Sequence, residues 1–204
     1  MTVALPAAPE FGEALPLQPA PEVLRFLARR RSASALTLTD PAPSEADLDQ
    51  LLRLATRAPD HGKLAPWRFI VLRGEDKARF AGRLEALALG RDDRQSAGKL
   101  AKLKAPPLAV AVVSSPKAEA PIPEWEQRLS AGAVCTTFLY AALAMGYGAN
   151  WITDWYSYDA DAQRILGLAP EERVAAFMLL GTPREPPLER ERPEVGALVT
   201  RWKG

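Results

Sequence analysis

Apolar residues recur along this chain with two periods, and the changes of period mark its elements. From Pro21, the run PEVLRFLARR sets Val23, Leu24 and Leu27 at helical spacing and closes on Arg29-Arg30-Arg31. Ser44, with Asp47 three residues on, reads as a capping-box start. Leu48, Leu51, Leu52 and Ala55 then follow at i, i+3, i+4 and i+7, so a second helix is expected to stop just before Pro59. The stretch TLTDPAP between these helices reads as a loop. WRFIVLRG (67–74), aromatic and β-branched between Pro66 and Gly74, predicts a strand. Residues 75–90 and 93–104 look helical and charged, with Phe80, Leu84 and Leu87 on one face. PPLAVAVVSS (106–115) is continuously apolar, the mark of a strand covered on both faces. WEQRLSAG leads into a long buried helix over about 130–146. YGANWIT predicts a third strand, DADAQRILG a short helix and RVAAFMLLGT a fourth strand.

Helices that alternate with strands in this way argue for a layered α/β arrangement around one sheet. Ahead of it, residues 1–21 form a Pro- and Ala-rich leader expected to be extended or disordered, and residues 22–204 a single domain. The leader lacks a positive n-region and is broken by prolines and acids, unlike a secretory signal. The tail PREPPLERERPEVGALVTRWKG, rich in proline and charge, is expected to run extended along a surface. LSAGAVCTTFLYAALAMGYGANWIT (129–153) is the longest run free of charge, but three glycines interrupt it, so it reads as a core element rather than a bilayer span.

Composition narrows the chemistry. With 26 basic and 25 acidic residues the net charge is +1, which offers no electrostatic footprint for nucleic acid or a membrane surface. The single Cys135 excludes an intrachain disulfide, and Cys135 with the only histidine, His61, is too little for a structural metal site. A reducing, cytoplasmic setting fits that cysteine usage. No GxGxxG, phosphate loop, HExxH or GxSxG stands at a strand–helix turn.

Three stretches could carry chemistry. RRRSAS (29–34) puts arginine forks and a serine hydroxyl at a helix end, suited to a phosphate; the same residues could simply satisfy the last carbonyls of that helix. RAPDHGKLAPWRF (57–69) holds His61 beside Arg57 and Asp60. As a general base that histidine lacks a nucleophile in a recognisable setting, as a metal ligand it lacks partners, and as a staple it would bond Asp60 or a backbone carbonyl. GYGANWIT (146–153) has two glycines that could let backbone approach a flat ligand, or could mark a helix C-cap before a strand.

In this order and at these separations, the stretches resemble the FMN-dependent nitroreductase family, and within it a small bacterial subgroup of NAD(P)H nitroreductases. RRSAS, RAPDH, PWRF, WEQ…SAG and LGTP carry the resemblance over about residues 22–183. It implies an α+β nitroreductase-like fold, with a central mixed, mainly antiparallel sheet of four to five strands flanked by helices. It also implies an intertwined homodimer with FMN at each interface. By position, Arg30, Arg31 and Ser32 would hold the phosphate and ribityl end. Arg57 and His61 would reach the same flavin from the partner chain, and Trp151, Ile152 and Thr153 would line the ring. Ala141, Ala142, Leu143, Ala144, Met145 and Gly146 would lie where the nicotinamide nucleotide docks.

The flavin would then carry the chemistry, with no catalytic side chain. NADH or NADPH would be oxidised and a nitro, quinone or similar small electron-poor oxidant reduced by a ping-pong route. An FMN-binding protein without turnover, or a specialised flavin dehydrogenase or dehalogenase with 88–104 as a lid, are the alternatives. Two departures bear on the site: Ser34 stands where the wider family often has arginine, and Lys63 and Ala65 replace the Asn and Gln usual in the loop before the first strand.

Overall fold

Two strands at the middle of the sheet set the architecture seen in the computed structural model, which describes residues 5–204; the first four residues of the leader lie outside it. Helix α1 (Pro21–Arg29) begins on a proline, whose missing N–H has no partner to lose in a first turn. It stops where Arg30 turns extended. A two-residue strand β1 (Leu38–Thr39) follows, inside the segment expected to be a loop. Two residues are too few to show a period, so no pattern could have announced it. Helix α2 (Glu45–Ala55) has the expected capping box: Ser44 Oγ accepts from the Asp47 N–H at 3.1 Å and the Asp47 carboxylate accepts from the Ser44 N–H.

Strand β2 (Trp67–Arg73) leads into α3 (Gly74–Gly90). The helix expected over 93–104 is broken at Leu100 into α4 (Arg94–Lys99) and α5 (Ala101–Lys104). Strand β3 (Leu108–Ser114) is buried at every position. Helix α6 (Glu124–Ala144) begins a turn and a half earlier than expected, because WEQRLS is its first part and not a lead-in. Strand β4 (Gly148–Ile152), the short helices α7 (Trp155–Tyr158) and α8 (Ala160–Leu166), and strand β5 (Arg173–Pro183) complete the domain. The tail beyond is extended except for one 3₁₀ turn at Val195–Leu198.

All four strand pairings are antiparallel. β5 bonds β3 along one edge and β4 along the other, β2 flanks β3, and β1 pairs with the last two residues of β5. β3 and β5 are therefore central, and alternate side chains feed two cores. Leu108, Val110, Val112, Met178 and Leu180 pack with Leu48, Leu51 and Ala55 of α2 and Val134, Phe138 and Ala142 of α6. Ala109, Ala111, Phe177 and Leu179 face the other way, onto Phe80 and Leu84 of α3, Leu103 of α5 and Tyr156 of α7. A bulge at Ala175 reverses the alternation, so Val174 joins the second core. The doubly covered strand read from PPLAVAVVSS is thus central in an antiparallel sheet under helices on both sides.

Helix α6 runs the length of this sheet. Near its start, Ser130 accepts from Trp67 Nε1, and Trp67 pairs with Ser114, which pairs with Arg173. Just past its end, Gly148 pairs with Gly181. Eight strand residues separate those two levels, roughly 26 Å at ~3.3 Å per residue. This long helix fixes what stands at each end.

Candidate functional site

The histidine stretch RAPDHGKLAPWRF lies at the N-terminal end of α6, and most of its polar groups are held by its own chain. Ser130 Oγ donates to Pro59 O at 2.7 Å and itself accepts from Trp67 Nε1 at 3.1 Å. The Asp60 carboxylate accepts from the Ala65 N–H at 2.8 Å, closing the loop as a staple. His61 does not bond Asp60; its Nδ1 lies 2.7 Å from Glu126 of α6. Gln127, buried, accepts from the Lys117 N–H and donates to the carbonyls of Lys117 and Ile122, which fixes the loop that leads into the helix. WEQ…SAG is therefore scaffolding for the histidine loop. Periodicity gave no sign of this, because Glu126 and Ser130 act across the fold and not along the helix.

The loop backbone is strained. Gly62, Lys63 and Ala65 have φ of 76°, 54° and 44°, and only the glycine takes that region freely. Asparagine tolerates it far better than lysine, so the family's usual residue at position 63 suits the backbone as well as any ligand. His61, Lys63 and Arg57 all project into solvent, and among the described residues the Arg57 guanidinium has no acceptor. Two residues on from the loop, Arg68 makes a two-pronged pair with the buried Glu172, both contacts 2.7 Å. The Arg68 guanidinium holds the Glu172 carboxyl down at about 2, against the opposing cost of burial.

RRRSAS and GYGANWIT, the other two stretches, meet at the far end of the helix. Ala33 N–H donates to Ala149 O of β4 at 3.1 Å, and the Asn150 amide donates back to Ala33 O. Arg30, Arg31 and Ser32 are thereby laid beside the strand that carries Trp151 and Ile152 and leads into Thr153. Arg30 Nη2 reaches Ser32 Oγ at 3.3 Å, while its Nε is buried without a partner. Arg31 Nε donates to Leu188 O at 2.7 Å, with the Glu189 carboxylate 3.5 Å away, and Arg192 donates to Arg30 O. The tail thus crosses the arginines, a contact that no sequence pattern foretold. Trp151 is 39% exposed, Ile152 is packed against the second core, and Thr153 Oγ1 accepts from Tyr158 OH at 2.8 Å.

The glycines of GYGAN answer to packing. Gly146, φ 86°, closes α6 in a Schellman pattern: its N–H bonds Leu143 O and the Tyr147 N–H bonds Ala142 O. At Gly148 an added Cβ would meet Leu38 at 2.6 Å. The reading of both glycines as a close approach for a flat ligand is thus replaced by a helix cap and a close approach of chain to chain. Among Ala141 to Gly146, the residues Ala141, Ala142 and Met145 are buried in the first core; Leu143, Ala144 and Gly146 present surface. Tyr147 ties this end down through a 2.7 Å bond to Asp47; burial first, and then that carboxylate, pushes its phenol up to about 12.

Within one chain the residues expected around one flavin therefore fall into two groups. Ala33 lies at the level of Ala149, which pairs with Leu180, and Trp67 at the level of Arg173. Seven strand residues of ~3.3 Å separate them, about 23 Å. Arg57 and His61 are not brought to Arg30, Arg31 and Ser32.

The nitroreductase family model matches residues 27–182, three-quarters of the chain. The chain belongs to the nitroreductase family. "Putative NAD(P)H nitroreductase YdjA" of Escherichia coli strain K12 is 36% identical over 166 residues, 80% of this chain and 89% of that protein. A Haemophilus influenzae protein named "Putative NAD(P)H nitroreductase" is 34% identical over 168 residues, 80% of this chain and 90% of its own length. Among solved structures, a nitroreductase-like family protein from Bacillus cereus superposes with a TM-score of 0.78 at 21% identity, covering 94% of this chain and all of that one. A Desulfovibrio desulfuricans protein, a "putative nitroreductase in complex with FMN", gives 0.70 at 24% identity over 88% of this chain and 96% of its own. This nitroreductase is thus an enzyme of an oxidoreductase family. The family match opens inside α1 and closes on β5, so the leader and the arginine-crossing tail lie outside it.

Proposed function

We propose that the protein is an FMN-dependent oxidoreductase that oxidises NADH or NADPH and reduces small nitro, quinone or similar electron-poor acceptors by a ping-pong route. In this reading it works in the cytoplasm as a homodimer, with FMN at the interface. The observation that carries the reading is the division of the flavin-binding set between the two ends of α6. A twofold axis across α6 would bring the loop end of one chain to the arginine end of its partner.

The outer face of α6 suits such pairing. Thr136 and Thr137 turn their hydroxyls back to the Gly132 and Ala133 carbonyls and so offer methyl groups outward beside Ala133 and Tyr140. Phe26 of α1 sits edge-on to Tyr140, while Val23, Leu24 and Leu27 remain 53%, 67% and 43% exposed. Uncovered apolar residues of this kind mark an interface.

The residues present fit the cofactor. Buried Arg30 Nε lacks an acceptor, and Arg31 and Ser32 stand beside it, a donor set matched to a phosphate. In the dimer Trp151 and Thr153 would wall the ring, and the partner's loop would close on its edge. When bound, FMN supplies hydride acceptance from NAD(P)H and electron delivery to the acceptor. The protein's part is to hold, orient and exclude water. Its one thiol, Cys135, is buried, and desolvation pushes it up to about 12, so it is no nucleophile.

Purification and stopped-flow absorbance test this directly. The expected result is a yellow dimer with one FMN per chain, bleached by NADH or NADPH and re-oxidised by a nitroaromatic or a quinone. A colourless chain that takes up no FMN ends the reading. One that binds FMN and stays oxidised is a flavin carrier instead.

A further inference from the structure

We infer that the leader is a working part of the active site: its segment Leu5–Pro9 walls a pocket for an acceptor that carries a carboxylate on an aromatic ring. The inference rests on the flavin reading above, because Arg57, which borders the pocket, is the residue offered to the partner's flavin.

The leader is not loose. Arg53 of α2 donates to Pro6 O at 3.0 Å, which pins the segment across the end of that helix. Beyond it the chain turns back at Glu10–Glu13, where each N–H is answered: Glu10 by the Glu13 carboxylate, Glu13 by the Glu10 carbonyl. Between the pinned segment and the helix end lies a cavity of about 520 Å³, lined by Leu5–Pro9, Arg53, Leu54, Thr56 and Arg57. That volume lies in the range of ~300–1,000 Å³ typical of small-molecule sites. Its walls are mainly aliphatic and prolyl, and among the described residues its only charges are two guanidiniums. One is spent partly on Pro6, and the other has no acceptor among the described residues. A flat apolar body with an anionic edge satisfies both features: the ring lies on proline and leucine, and the carboxylate takes the Arg57 fork.

Leu5–Pro9 also lies outside the stretch that the family model matches. That match begins at residue 27, inside α1. A wall built from Leu5–Pro9 changes which acceptor fits beside Arg57, while Arg30, Arg31 and Ser32 stand at the other end of α6.

Benzoate, which carries the carboxylate and cannot be reduced, is the probe, with benzamide as its neutral counterpart. Titration calorimetry on the oxidised, FMN-loaded full chain is expected to show benzoate binding at least tenfold tighter than benzamide. Ala8→Trp, which fills the cavity from an exposed position, should weaken benzoate at least tenfold, and Arg53→Ala, which unpins the segment, at least fivefold. FMN affinity should stay within twofold in both variants, and thermal melts confirm folding. Steady-state rates should agree: the KM for 4-nitrobenzoate rises in both variants while kcat holds, and the KM for 4-nitrobenzamide does not move. Equal benzoate affinity in all three proteins, or no preference over benzamide, overturns the pocket while leaving the flavin reading intact. A chain that binds no FMN yet binds benzoate in an Ala8-sensitive way keeps the pocket and removes the flavin.

Discussion

The two ends of α6 are built on opposite plans. At the N-terminal end most of the loop 57–66 is tied to its own chain: Pro59, Asp60 and His61 each have a partner there, as does Trp67 just beyond. At the C-terminal end Arg30 Nε is buried with nothing to bond, and Arg31 leans on a tail carbonyl and a tail carboxylate. The first end is a finished shape that displays a few side chains. The second is unfinished without an anion. A buried donor left unpaired is costly, so the second end gains most from a ligand and the first gains from staying as it is.

The largest expected effect tests the unfinished end. Arg30→Ala should weaken FMN binding by roughly 30- to 150-fold, the equivalent of ~2–3 kcal/mol for a charged bond, with little change in melting temperature. Arg57→Ala should weaken it less. Mixing the two variants then separates the two arrangements, because a mixed dimer has one doubly damaged site and one site with both arginines native. Statistical exchange makes about half the dimers mixed, so fluorescence titration of that mixture should recover tight FMN binding at about a quarter of all sites. No recovery would mean that each chain completes its own site, and the comparison of ends would lose its functional meaning.

The finished end should fail through stability instead. Its anchor is Arg68–Glu172, where the carboxyl is held at about 2 by the Arg68 bonds. A carboxyl whose folded value lies below its unfolded one of 4.5 stabilises fully above that value, and the benefit fades as pH falls toward 2. Glu172→Gln should therefore cost about 2–3 kcal/mol at neutral pH, less than a fully buried pair because Arg68 is partly solvated. That is a melting temperature lower by roughly 4–12 °C, at ~2–4 °C per kcal/mol. The gap between variant and parent should close as the melts are repeated down to pH 3. A constant gap would show that the pair is not what anchors the strand start.

Ser130→Ala is the next smaller effect. It strands the Trp67 indole N–H and Pro59 O together, and a cost of about 1–3 kcal/mol is expected. If the loop is displayed to a partner's flavin, FMN affinity should fall severalfold in step. A stability loss with unchanged FMN affinity would confine the loop to scaffolding.

How much of this could be read from the residues follows from which forces are local. Capping at Ser44, the stripe Leu48–Leu51–Ala55 and the unbroken β3 are set by neighbours in sequence, and they stand as expected. β1 was invisible because a two-residue strand exists only through its pairing with Thr182 and Pro183. The same reason hid Glu126 behind His61 and Leu188 and Glu189 behind Arg31: each contact is decided by tertiary placement. The candidate stretches were legible as motifs, but their separation along α6 was not. It follows from the direction of that helix across the sheet, which no spacing encodes.

The smallest effect concerns the one residue that fits neither plan. Lys63 sits in the finished loop, yet its φ of 54° is a position that lysine takes at a cost, and its side chain bonds nothing among the described residues. Lys63→Asn keeps a polar side chain and suits the left-handed backbone, so stability should rise by about 0.5–1 kcal/mol, or roughly 1–4 °C. A strained residue kept where a relaxed one would serve points to a use for the charge. With a cation displayed to the partner's flavin, the same substitution should lower the flavin's reduction potential, since negative charge on the reduced ring would lose a neighbour. A stabilised variant with an unchanged potential would make Lys63 a solvent-facing residue of the scaffold. A lowered potential would make the finished end a contributor to the chemistry as well as to the shape.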